Sequence, residues 1–115
     1  MTRSEHKRLQ DILECTDDLA ELVAIGKVEF YGNKFWALAD ARLLENIGEA
    51  STHLSDEILE SLPEIEWKKI AGMRVLIAHA YHRVDIDFVW TIATTSVPDL
   101  AQRVCTKFPN LDSEV

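Results

Sequence analysis

An all-α bundle of about five to six helices is the fold class that this chain predicts. Three observations lead there. Apolar residues recur at spacings of three and four along most of the chain and nowhere alternate as strands do. Only four Gly and three Pro interrupt the sequence, which leaves room for long helices. Hydrophobic residues make up 47% of the 115 positions, enough for one core and too many for a disordered chain. A single helical domain is expected over residues 1–110, with a frayed tail at 111–115.

The first helix is predicted from about Ser4 to Ile25. Leu9, Ile12, Leu13, Thr16, Leu19, Ala20 and Val23 share one face, and Asp11, Glu14, Asp17, Asp18 and Glu21 take the solvated remainder. Gly26 is a C-terminal stop. Asn33 is placed to cap a second helix running to about Leu54, with Trp36, Leu43, Ile47, Ala50 and Leu54 as its buried stripe. Gly48 inside that helix costs about 1 kcal/mol relative to Ala, which a close helix–helix contact would explain. Ser55 caps a short third helix that Pro63 ends. A fourth spans about Glu66 to His82, and Asp85 caps a fifth. Phe88, Val89, Trp90, Ile92 and Ala93 cover most of that fifth helix, as in a buried helix or one at a subunit interface. The last helix starts at Ser96, ahead of Pro98 and Asp99, and runs toward Thr106.

The formal net charge of −8 repels nucleic acid at long range, so any such contact must be local or shared between subunits. The charge is uneven: 15 of the 20 acidic residues lie at or before Glu66. Cys15 and Cys105 form no CxxC pattern and read as reduced, buried thiols. The N-terminal residues are charged, and no apolar run approaches membrane-spanning length. A cytoplasmic protein without a membrane partner is expected.

From Trp67 to Val84 there is no acidic residue, while Lys68, Lys69, Arg74 and Arg83 supply cations and His79 and His82 titrate near neutrality. That set suits an anion, and a phosphodiester is the obvious candidate. RNA is cut without metal when its own 2′-hydroxyl attacks the phosphate. Histidine has the pKa to move either proton, and arginine grips phosphate oxygens in a two-pronged manner. Arg74 and His79 are therefore the candidate catalytic pair. They are five residues apart, roughly 140° around a regular helix. One straight helix cannot close them on one small group. Either the helix unwinds near His79, or a second copy of the chain brings its own pair to a shared cleft. His79, His82 and Asp85 offer a competing reading as ligands of zinc or another transition metal, although Asp85 is also placed as a helix cap.

Arg74-x4-His79-x-Tyr81 resembles the RxxxxHxY signature of HepT-like toxins, a branch of the HEPN superfamily. Ile47-Gly-Glu-Ala50, Pro63-Glu-Ile-Glu-Trp67, Gly72-Met-Arg74 and Val84-Asp-Ile-Asp-Phe-Val-Trp90 resemble further elements of that family, in order, from about Phe35 to Trp90. The resemblance implies a HEPN-like homodimer whose signature helices face a common cleft. It implies a metal-independent endoribonuclease, without a cofactor, that serves as the toxin of a toxin–antitoxin pair. Arg74 and His79 would be its catalytic residues. The implied partner is a minimal nucleotidyltransferase antitoxin that transfers AMP onto the signature tyrosine, here Tyr81. A bulky anion there would occupy the place of the substrate phosphate. Lys68, Lys69 and Arg83 are candidates to guide RNA.

Val75 departs from the wider superfamily, which carries a polar residue after the arginine, and Glu66 stands where Pro is common. The departure at Val75, with the acidic net charge, is the ground for the alternative expectation. That alternative is a non-catalytic HEPN module binding a nucleotide or a partner protein.

Overall fold

The computed structural model describes residues 1–78 and 84–111, apart from the side chains of Leu76 and Ala78. Among these, the helices are α1 (Arg3–Val23), α2 (Lys27–Gly32), α3 (Lys34–Ser51), α4 (Asp56–Ser61), α5 (Trp67–Ala78), α6 (Ile86–Thr94) and α7 (Ser96–Lys107). The expected all-α bundle is what the chain forms, and no strand occurs among the described residues.

The caps follow the sequence closely. Thr2 and Glu5 close a capping box at α1, with the Glu5 amide donating to Thr2 Oγ1 and the Thr2 amide donating to Glu5 Oε2. Glu5 Oε1 also accepts from the Ser55 amide at 3.2 Å, which ties the start of α1 to that of α4. Hydrogen bonding from Ser55, and then from Thr2, holds the Glu5 carboxyl below its usual range. Asn33 caps α3 by accepting from the Phe35 amide, Ser55 caps α4 through the Ile58 amide, and Asp85 caps α6 through the Phe88 amide. Gly26 follows α1 with a φ of 94°, which disfavours a side chain there although nothing crowds the site.

α2 is the element that the sequence pattern did not reveal. Its six residues bury Phe30 completely, with the Phe30 and Trp90 ring centroids 4.8 Å apart. Tyr31 donates from its hydroxyl to Asp87 Oδ1 at 2.5 Å, fixing α2 to the start of α6.

α3 is the hub. It packs on α1, α2, α5 and α6, while α7 closes against α1 and α6. Leu9, Ile12 and Leu19 of α1 meet Leu44 and Ile47 of α3, Val89 of α6 and Val104 of α7 in one core. Ala20, expected on the buried face of α1, is exposed, and Leu22 is buried in its stead. The contact surface moves around α1 toward its C-terminal end. Cys105, expected to be buried, is exposed, because the step from fully buried Val104 turns it about 100° away from the core. Cys15 is half-buried, and burial, with Asp18 and Glu14 nearby, pushes its thiol up to about 11. Leu111 packs in the core and its carbonyl accepts from Gln10 Nε2 at 2.6 Å, while residues 112–115 lie outside the described set.

Candidate functional site

The turn from Leu62 to Glu66 launches α5. The Ile65 amide donates to the Leu62 carbonyl, and Ile65 itself is buried. The Glu66 carbonyl then accepts from the amides of Lys69 and Ile70, and the Glu66 carboxylate pairs with Lys69 Nζ at 2.7 Å. A carboxylate at this end of a helix also faces favourable amide dipoles. Ile70, Met73 and Ile77, at spacings of three and four, turn toward the core.

Arg74 follows Met73 onto the rim. Its backbone lies against Gly48 of α3, where a Cβ would stand 2.8 Å from the Ile70 carbonyl oxygen and 3.2 Å from the Arg74 amide nitrogen. The two helices approach this closely only because Gly48 has no side chain. Beside that contact the Arg74 guanidinium reaches Glu49 Oε2 at 3.6 Å, an ion pair longer than a hydrogen bond. The Arg74 side chain is 44% exposed and that of Glu49 is 58% exposed, so water competes readily for both and an anion can compete with Glu49 for the guanidinium. The other Glu49 oxygen faces His53 Nε2 at 3.3 Å.

Lys68 and Lys69 are exposed on α5 but turned roughly 120° and 140° from Arg74. His79, Tyr81, His82 and Arg83 lie outside the described residues, and so does the expected end of the fourth helix at His82. Asp85, offered as a metal ligand, spends one oxygen on the Phe88 amide. Val75 is 48% exposed, an apolar side chain on the surface of α5 one residue beyond Arg74.

Two features escaped sequence reasoning. Glu49 and His53 stand one helical turn apart, which was legible, but the meeting of Glu49 with Arg74 depends on how α3 and α5 cross. Asp40 was not singled out, although it lies four residues before Leu44 and seven before Ile47 on the buried stripe of α3. It is fully buried, and neither carboxylate oxygen has a hydrogen-bond partner among the described residues. Burial alone pushes its carboxyl up to about 7.

An apolar cavity of about 350 Å³ opens on another side of α5, walled by Ile47, Ile65, Ile70, Met73, Phe88 and Ile92 and bordered by Glu64, Glu66 and Lys69, the lysine held by Glu66. Its character does not suit a phosphate. Among the described residues no cluster of His, Cys, Asp and Glu could hold a metal ion, and no helix is long and apolar enough to cross a membrane.

Residues 12–106 match the family described as ribonuclease HepT-like. A protein of Methanocaldococcus jannaschii named a putative RNase is 36% identical over 97 residues, covering 84% of this chain and 89% of its own. A second protein of that organism with the same description is 39% identical over 93 residues, covering 80% and 77%. A protein of Thermococcus cleftensis named a probable ribonuclease HepT is 35% identical over 101 residues, covering 87% and 92%. No solved structure matches the chain. With the match spanning nearly all of the bundle, from α1 to α7, the chain belongs to the HepT-like ribonuclease family.

Proposed function

We propose that this protein is a metal-independent endoribonuclease that acts as the toxin of a toxin–antitoxin pair. The observation that carries the reading is Arg74. Its backbone is seated on Gly48, and its guanidinium stands half-exposed beside a loosely held carboxylate, that of Glu49. Family membership supplies the substrate class, RNA.

In the proposed reaction a base removes the proton of a ribose 2′-hydroxyl. The 2′-oxygen bonds to the adjacent phosphorus as the bond to the 5′-oxygen breaks, and an acid protonates that leaving oxygen. The products are a 2′,3′-cyclic phosphate and a 5′-hydroxyl. His79 serves as proton donor or acceptor. Arg74 binds the phosphate, and its contribution to rate is whatever contact strengthens as charge builds on the phosphorane oxygens. Two copies of the chain complete the cleft, one Arg74 and one His79 from each. Lys68, Lys69 and Arg83 guide the strand. A minimal nucleotidyltransferase neutralises the toxin by transferring AMP from ATP to Tyr81, and the added anion then occupies the place of the substrate phosphate.

Co-expression with a minimal nucleotidyltransferase tests this reading. The chain alone is expected to arrest growth, and the partner to relieve the arrest while the intact mass rises by AMP on Tyr81. Absence of arrest contradicts the toxin assignment. Relief that persists undiminished in Tyr81→Phe removes the modification from the account.

A non-catalytic module that binds a nucleotide or a partner protein is the second reading, and exposed Val75 favours it. Binding of ATP or AMP by a protein that leaves RNA uncut would support it.

A further inference from the structure

We infer that the outer face of α3 is a binding strip for single-stranded RNA, with Phe35 as a stacking platform for a base upstream or downstream of the cleaved linkage. The inference rests on the ribonuclease reading above and adds to it a second contact region.

The strip is defined by direction and exposure. Counting about 100° per residue, Phe35, Leu38, Arg42 and Glu49 fall within roughly 60° of one another on α3. Phe35 is 65% exposed and Leu38 is 47% exposed, the two large apolar side chains of α3 that are left bare to this extent. Lys34 Nζ sits 5.6 Å from the centre of the Phe35 ring, so a base laid on that ring would bring its phosphate toward an ammonium. At the far end of the face Glu49 meets the Arg74 guanidinium. The strip therefore leads from an aromatic platform to the proposed phosphate ligand, over roughly 21 Å of helix.

Charge selects the occupant. On a chain of net charge −8, the stretch from Asn33 to Leu44 contains one acidic residue, Asp40, and that residue is fully buried. The exposed charges of the stretch are Lys34 and Arg42. Arg42 Nη1 pairs with Glu45 Oε2 at 3.2 Å, with 73% of the arginine side chain exposed, and a phosphate can displace such a partner. On α3 itself the acids on or beside the path are Glu45 and Glu49, and each stands next to an arginine, while Glu29 of α2 accepts from Trp36 Nε1 beside the Phe35 end. A face one helix wide that alternates cation, aromatic ring and cation fits an unpaired strand. Flat bases stack on the ring and the backbone follows the cations. At the stacked spacing of about 3.4 Å per nucleotide, the rise of roughly 21 Å from Phe35 to Glu49 corresponds to about six nucleotides, and to fewer if the strand is stretched.

The test uses the full chain and two probes. One is a fluorescein-labelled single-stranded RNA of about twelve nucleotides with every 2′-hydroxyl methylated, which reports binding without cleavage. The other is a cleavable dinucleotide, too short to span the strip. Phe35→Ala is expected to weaken binding of the long probe by about five- to 150-fold, the loss of one base–aromatic stack. Phe35→Trp should restore it, and dinucleotide cleavage should be unchanged in both. Arg42→Gln should lower the slope of log affinity against log salt by about one. Long-probe binding that ignores Phe35→Ala overturns the strip and leaves the proposed activity standing. Binding that depends on Phe35 without any cleavage by the unaltered chain overturns the activity and leaves the strip. A change of assembly mass in light scattering on Phe35→Ala, with RNA affinity unchanged, assigns the face to contact with a second copy of the chain and overturns the strip.

Discussion

Arg74 rests on Gly48: a Cβ on that glycine would stand 3.3 Å from the Arg74 Cβ and 2.8 Å from the Ile70 carbonyl oxygen. Gly48→Ala therefore trades one effect against another. Alanine gains about 1 kcal/mol of helix propensity, while forcing α3 and α5 apart costs about 1–3 kcal/mol. A net loss of up to about 2 kcal/mol in urea unfolding is expected. RNA cleavage should fall by more than the loss of folded protein explains, because the displaced backbone carries Arg74.

Glu49→Gln probes the ion pair itself. Both partners are exposed, so stability should stay within about 0.5 kcal/mol of the unaltered chain. Affinity for an uncleavable RNA should rise, because the carboxylate no longer competes with phosphate for Arg74. Fluorescence anisotropy reads that change directly.

Asp40 makes stability depend on pH in an unusual direction. Its folded-state pKa is raised to about 7 from an ordinary 3.8. Below the ordinary value both states are protonated and the group adds no pH dependence. As pH rises past that value the unfolded chain ionises while the folded chain stays protonated, so this contribution falls until about pH 7 and then levels off. Thermal melting of Asp40→Asn across the same range should lack this decline, and the variant should exceed the unaltered chain most clearly above pH 7.

Tyr31 gives a simpler case. Its hydrogen bond to Asp87 is the leading cause that pushes the phenol up to about 12, so the donor stays protonated throughout the physiological range. Tyr31→Phe should lower stability slightly and loosen α2 from α6 without touching α5, as differential hydrogen exchange of the two regions would report.

Much of the fold was legible because caps and stripes are local. Asn33, Ser55 and Asp85 each cap the helix that their sequence position announces. Gly48 marks a helix crossing because a mid-helix glycine needs a packing reason. α2 escaped because its six residues form too short a pattern, and their place is fixed by Phe30 and Tyr31 meeting Trp90 and Asp87 some sixty positions later. Within the candidate site, Arg74 was visible as a residue type in an acid-free stretch. Its pairing with Glu49 was not, since that depends on the crossing of α3 and α5. Asp40 was hidden for the opposite reason: a carboxylate on a buried stripe breaks the rule by which stripes are read.

The most direct measurement is cleavage of single-stranded RNA by the purified, partner-free chain in excess chelator, beside Arg74→Ala and His79→Ala. The account predicts that the unaltered chain leaves 2′,3′-cyclic phosphate and 5′-hydroxyl ends. It predicts that each variant loses about a hundredfold or more in rate. Undiminished cutting by either variant, or activity that chelator abolishes, would contradict it.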